Sequence, residues 1–423
     1  MYLSKKSKLL ISFFEKNKYT CHYTHTEKTK KIMKELYYDI LEAYQFVLSL
    51  KSKRENFYNV KVKHILTATD IIKPKNFNYN SFPLHVRNHI NEKSFSEISY
   101  HFSLFDREIN LFFITEDNSE TKIEVYNKYV DAIIMWIYIL NQYSSKLCVK
   151  SLTVYFYFTS LEKILPKTNI DVLNEINVNT GFTTTCPRDS EIVIYRKEEW
   201  LKVFMHETFH NFGLDFSDMN IDSCIKSMLH IFPVNSEVNL YEAYAEFWAE
   251  IMNALFCSFF KLKNKKNIEE FLENSEFFIN FEICYSFFQM VKTLDFMGLN
   301  YDDLYMKTKK SKLLRDTMYK EETNVFPYYI IKTILLNSYQ SFLSWCDTNN
   351  FALLQFKKTP SNLNDFCKFI EKNYKTKSIL EGVYTSEQFL NKIKNDKKDK
   401  KDKNDSNKEY ILSNLRMSIC ELG

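Results

Sequence analysis

The sequence predicts an α+β fold, a small mixed sheet with one functional helix embedded in a mainly helical chain. Three observations carry this. Apolar residues recur with helical period through most of the 423 residues. Five short runs rich in β-branched and aromatic residues fall between positions 96 and 196. Only five glycines and seven prolines leave little sequence for irregular loops.

In chain order, residues 1–60 are helical in pattern, with Ile32, Met33, Leu36, Ile40, Leu41 and Tyr44 on one stripe. Residues 96–115 predict a β-hairpin turning near "FDRE". A helix follows over about 125–142. Its apolar run "AIIMWIYIL" (132–140) is too short to span a bilayer and reads as a buried segment. A strand is expected at 151–160, then two strands in 177–196 around a proline-containing connection. A helix starts near Lys197 and stops at Gly213, where a left-handed C′ residue is wanted. A second strong helix covers about 239–263, and the chain stays helical and aromatic to about Tyr384. These elements divide into an N-terminal helical region with a hairpin (1–120), a catalytic core (121–262) and a helical C-terminal region (263–390). A charged disordered linker (391–408) and a terminal helix (409–423) complete the chain.

Composition narrows the function classes. The formal charge of +4, from 57 basic and 53 acidic residues, gives no sign of a dedicated nucleic-acid binder. Nine scattered cysteines, with no CxxC pair and no signal-peptide pattern ahead of them, point to a reducing, cytoplasmic interior and no membrane partner.

One stretch carries chemistry: "FMHETFHNFGLDF" (204–216). Its HExxH spacing sets His206 and His210 on one helical face, where two neutral imidazoles can share a zinc ion. Glu207 beside them is placed as general base toward water at the metal. The plain alternative is two half-buried histidines on one helix. The apolar residues around them (Trp200, Leu201, Val203, Phe204, Met205, Phe209, Phe212) make that costly without partners. The third ligand is not in the motif. The metzincin pattern HExxHxxGxxH runs as far as Gly213 and then meets Phe216, with Asp215 and Asp218 flanking that position. Downstream, "NLYEAYAEFWAEIM" sets Glu242, Glu246 and Glu250 four apart along an otherwise apolar helix. Three such carboxylates resist burial unless cations sit near them.

HExxH followed by ExxxE, with the alanines of "EAYAEFWA", resembles the gluzincin branch of the zincin metallopeptidases over about 151–256, a quarter of the chain. The resemblance implies a zincin-like catalytic core binding Zn²⁺ and hydrolysing a peptide or protein substrate. His206, His210 and Glu242 would be ligands, Glu207 the base, and Glu246 the carboxylate that fixes a ligand imidazole. The rival assignment exchanges Glu246 and Glu242. Glu250 reads as a solvated or salt-bridged face. The segment between His210 and Glu242 is longer than in compact members. His230, Tyr328 and Tyr329 are candidate donors to the developing oxyanion. An extended substrate would pair with an edge strand from 177–185 or 191–196. The alternative function is a catalytically inactive zincin-fold structural or interaction protein. Two other histidine groupings, Cys21/His22/His25 and His85/His89, read as surface residues.

Overall fold

The computed structural model describes residues 1–53, 58–75, 81–118, 122–399 and 405–423. Its one sheet has six strands: β1 (Asn59–His64), β2 (Ser96–Leu104), β3 (Arg107–Thr115), β4 (Ser151–Phe158), β5 (Gly181–Thr183) and β6 (Asp189–Ile194). They lie in the order β1-β2-β3-β4-β6-β5. The pairs β3/β4 and β4/β6 are parallel and the rest antiparallel, so the sheet is mixed and the fold α+β. The expected hairpin is β2–β3. Its two-residue turn holds Phe105 (φ 54°) and Asp106 (φ 58°) in the left-handed region, whose twist suits a tight hairpin. An aromatic residue is strained there. Stacking of Phe105 on Phe46, with centroids 5.2 Å apart, fixes it. Strand β1 (NVKVKH) is a difference from the sequence reading, which carries helix to residue 60. Its alternation of half-buried Val60 and Val62 with exposed lysines holds only two apolar residues, too few to stand out beside the long helical stripe before it.

Both sheet faces are covered, as alternation along β4 shows. Leu152, Val154, Phe156 and Phe158 enter the main core, whereas Tyr155 and Tyr157 face a smaller cluster with Phe82, Val86 and Ile90. The helix Ile123–Tyr143 makes the crossover between parallel β3 and β4. It buries the 132–140 run expected to be internal. No helix among the described residues is long and apolar enough to cross a membrane.

The motif helix (Trp200–Asn211) packs between the β5–β6 edge and the carboxylate helix (Leu240–Lys261). Behind it, Trp136 Nε1 donates to Thr208 Oγ1 at 2.7 Å. The segment between the two holds a further helix, Asp222–Ile231. Below them lie Ile268–Phe296 and Lys332–Asn337.

At the C-terminal end, helix Lys377–Asp399 extends into the charged tract, and residues 400–404 of that tract lie outside the described residues. Helix Asp405–Ser413 then stops, and residues 414–423 form an extended buried strap where a helix was expected. The strap's backbone is satisfied by side chains of other segments. Glu199 accepts from Met417 and Ser418 N–H, and Glu282 from Ile419 and Cys420 N–H. Lys332 donates to Met417 O at 3.1 Å, and Tyr329 to Leu415 O at 2.6 Å. With these partners the backbone needs no helical bonds.

Four of the cysteines expected as thiols form two disulfides, Cys148–Cys186 and Cys224–Cys367. The first ties the end of the crossover helix to the β5–β6 connection, beneath Gly213. The second ties helix Asp222–Ile231 to helix Pro360–Asn373.

Candidate metal centre

Both ends of the motif helix are pinned. At its start Glu199 adopts a left-handed conformation (φ 58°), and its carboxylate binds the strap and pairs with buried Lys163 at 2.6 Å. At its end Gly213 (φ 68°) donates to His210 O at 3.0 Å and Leu214 donates to Phe209 O at 2.8 Å. That bond pair is a Schellman stop, as the glycine's place in the sequence predicts.

Between these ends, His206 and His210 face the carboxylate helix. Their Nε2 atoms are 3.1 Å apart, and Glu242 Oε2 lies 3.1 Å from the first and 3.3 Å from the second. These are the three residues among those described whose donor atoms converge as a metal-ligand group. The outer nitrogens face carboxylates. His206 Nδ1 is 2.9 Å from Glu246 Oε2, an ion-pair distance, although its N–H is not aligned for a hydrogen bond. His210 Nδ1 contacts Asp215 Oδ2, and Asp215 is oriented by Ser217, whose N–H and hydroxyl both bond its other oxygen.

Each of the three glutamates meets a cationic or proton-bearing partner. Glu242 faces the imidazoles. Glu246 accepts from Lys202 at 2.5 Å, one turn before His206, and Glu250 accepts from Lys332 at 2.5 Å. Glu250 is fully buried, which corrects its reading as a solvated face and leaves the salt bridge. The helix could bury three carboxylates because neighbouring segments bring charge to each.

The electrostatics follow from this enclosure. Burial pushes the Glu207 carboxyl up to about 7, against the pull of His206 and His210. Burial disfavours a charged His206, but its contacts with Glu242 and Glu246 outweigh this and carry it up to about 9. His210 rises too, as Asp215 and Glu242 overcome burial. Glu242 is held well below the carboxylate range: burial works against it, but the His210 charge and the imidazole contacts dominate.

Of the candidate oxyanion donors, Tyr328 is at the site, its hydroxyl 2.8 Å from Glu242 Oε2. It sits on a π-helical turn, Phe326–Ile331, a deviation common at functional positions. Tyr329 points away to the strap, and His230 is exposed on Asp222–Ile231. A small cleft is lined by Thr180, Gly181, His206, Glu207, Glu246 and Tyr328, so β5 is the strand at its rim. The other strand considered, β6, lies inside the sheet between β4 and β5.

Phe216, at the metzincin third-ligand position, is buried against Phe356 with ring centroids 4.5 Å apart, and Asp218 pairs at the surface with Lys358. What sequence reasoning missed is the role of Asp215, named there only as flanking the metzincin position: it orients His210. Its signal was a carboxylate two residues past the helix-stopping glycine, in an otherwise apolar run. The outlying histidines stay apart from the centre: His85 is exposed, and His89 pairs with Glu116 at 2.7 Å. His25 is 4% exposed, which corrects its reading as a surface residue. In the comparisons with known proteins, no family model, no curated protein and no solved structure matches this chain.

Proposed function

We infer that the chain is a zinc-dependent metallopeptidase with a zincin-like core of the gluzincin kind, acting on a peptide or protein substrate. The observation that carries this reading is the convergence of His206 Nε2, His210 Nε2 and Glu242 Oε2, with spacings of 3.1–3.3 Å. Three donors on a tetrahedral zinc with bonds of about 2.0–2.1 Å lie about 3.3 Å from one another. The donor set therefore fits the ion. With the Nδ1 atoms turned to carboxylates, both Nε2 lone pairs point into one small space beside an anion. That space calls for positive charge, and the raised histidine pKa values express the same demand met by protons.

His206, His210 and Glu242 would hold the ion, with Glu246 and Asp215 orienting the two rings. Zinc in that position supplies Lewis acidity toward a substrate carbonyl and lowers the pKa of water. Glu207 takes the proton of the attacking water and returns it to the leaving amine. Support for Tyr328 as the oxyanion donor is its hydroxyl in the same cleft. Support for β5 as the substrate-pairing edge is its place at the end of the sheet and on the cleft rim.

Metal analysis of the purified chain tests this first. About one zinc per chain is expected, lost in His206→Ala, His210→Ala and Glu242→Ala. Glu207→Gln should keep the zinc and lose hydrolysis of a broad peptide library by at least ~100-fold. Zinc bound without hydrolysis in the native chain would instead assign the inactive structural or interaction role. Absence of zinc would refute the metal site itself.

A further inference from the structure

The four cysteines of the two disulfides are not the only ones brought together. Cys284 lies one helical turn after Asn280 on Ile268–Phe296. Asn280 bonds both the N–H and the C=O of Tyr23, at 2.8 and 2.9 Å. That clamp sets Cys21, two residues before Tyr23, against the same helix face beside Cys284, and both are free thiols in this structure. Tyr19 closes the arrangement from the other side, its hydroxyl donating to Cys284 O at 3.0 Å. At the opposite end of the chain, Asn253 donates to Cys420 O at 2.8 Å. Cys257 lies one turn further along the carboxylate helix, beside Cys420, and both are free, buried thiols. The ninth cysteine, Cys346, is buried beside Trp248 and Asn350.

Eight of nine cysteines thus fall into four exclusive pairs, each joining segments far apart in sequence. Chance does not account for this. A buried residue touches about 6–12 others, so nine cysteines scattered over 423 residues would give on the order of one contacting pair. Cysteines kept as plain core residues have no reason to pair off. Selection for cross-links has.

We propose that Cys21–Cys284 and Cys257–Cys420 are oxidation sites that form two further disulfides, making this a four-cystine protein of an oxidising compartment. The compartment differs from the reducing cytoplasm that the scattered cysteines suggest in the sequence. In each pair one thiol is deprotonated and attacks a sulfur of an external disulfide, either glutathione disulfide or an oxidoreductase. A mixed disulfide forms and one carrier thiol leaves. The second cysteine thiolate then displaces the other, so one S–S bond is made for one broken. Two electrons pass to the carrier, which departs as two thiols bearing the two protons. Burial disfavours the Cys284 and Cys420 thiolates in the folded chain. Cys257, Cys284 and Cys420 are also closed to a carrier in the folded chain, so oxidation precedes closure of the core. The consequence is mechanical. The N-terminal segment is bonded to the long helix, and the strap that holds the start of the motif helix is bonded to the carboxylate helix, so both walls of the metal centre are stapled. The inference does not depend on the peptidase reading.

The test is disulfide mapping of the full-length chain secreted through the oxidising lumen of a eukaryotic cell. The chain is alkylated under denaturing, non-reducing conditions and analysed as intact mass and peptides. The expected result is four linked peptide pairs, a single alkylated residue at Cys346, and an intact mass lower by eight hydrogens than the reduced chain. A Cys21→Ser variant should add one alkylated site at Cys284, and Cys257→Ser one at Cys420. The proposal is overturned if Cys21, Cys284, Cys257 and Cys420 are alkylated in the secreted chain while Cys148–Cys186 and Cys224–Cys367 are linked. It is equally overturned by linkage in other combinations.

Discussion

Glu246 shows how much a single carboxylate can hold together. It lies on His206 Nδ1 and neutralises Lys202, both buried. Glu246→Gln keeps the shape but leaves the lysine charge without its partner. Zinc affinity, read by competition with a chromophoric chelator, is expected to fall about 10–100-fold. Stability in urea should fall by about 3–5 kcal/mol. Asp215→Asn should lower affinity similarly at a smaller stability cost, because no lysine depends on Asp215. Equal stability losses in the two variants would contradict this division of roles. A second residue, His25, predicts a pH response remote from His206 and His210. Its Nε2 is buried with no hydrogen-bond partner, and burial lowers its pKa from 6.5 to about 4, against the opposing charge of Glu276. A depressed imidazole pKa contributes stability above 6.5 that is lost as pH falls toward 4, about 2 kcal/mol of it by pH 5. In urea unfolding with excess chelator, the change in stability from pH 7 to pH 5 should differ by that amount between the native chain and His25→Phe, because the opposite contributions of His206, His210 and Glu207 are common to both. The same pH response in the two chains would remove His25 as a contributor.

At the scale of elements, the site is a contact between one edge strand and two helices. β5 pairs only with β6, and Gly181 brings its backbone against the motif helix. A methyl group at Gly181 would sit 2.8 Å from Val193 O and 3.1 Å from Glu207 Oε1. Gly181→Ala must therefore shift the strand off Val193 O, and it crowds the Glu207 carboxylate as well. The strand is short and at the edge, so the thermal midpoint should drop only a few degrees. Misplacing the base should lower kcat/KM at least tenfold, a barrier change of about 1.4 kcal/mol. Wild-type activity in this variant would show that the contact is slack. The hairpin, the crossover helix and both site helices were legible in the sequence, because each declares itself through short-range period and a local stop. β1 was not, because its Val–Lys alternation is only two apolar residues long and follows a long helical stripe.

At the scale of the whole molecule, the C-terminal strap joins the start of the motif helix to the helices beneath it. Glu199, Glu282 and Lys332 are buried and bond the strap's backbone, and Glu282 also accepts from Ser418 Oγ at 2.7 Å. Deleting residues 414–423 would strip these partners from charges that cannot reach water. Loss of cooperative urea unfolding is expected for that truncation. Glu282→Ala alone should cost about 3 kcal/mol, through three lost hydrogen bonds to one charged group. A truncated chain that unfolds at the full-length midpoint would show that the strap is peripheral.

What the sequence determined by itself is the set of candidates. Two histidines share a helix face, a glutamate sits beside them, a glycine ends the helix, and three glutamates line a second helix at one-turn spacing. These are properties of 3.6-residue periodicity, visible within a few turns of chain. Which glutamate meets the imidazoles was decided by tertiary structure, and so was each of the other pairings. Glu242 faces the Nε2 atoms because Lys202 and Lys332 take Glu246 and Glu250, and Lys332 arrives from a distant helix. Asp215, Tyr328 and the four cysteine pairs were open for the same reason. A buried charge or thiol is defined by its partner, and periodicity says which residues share a face without saying what that face will meet.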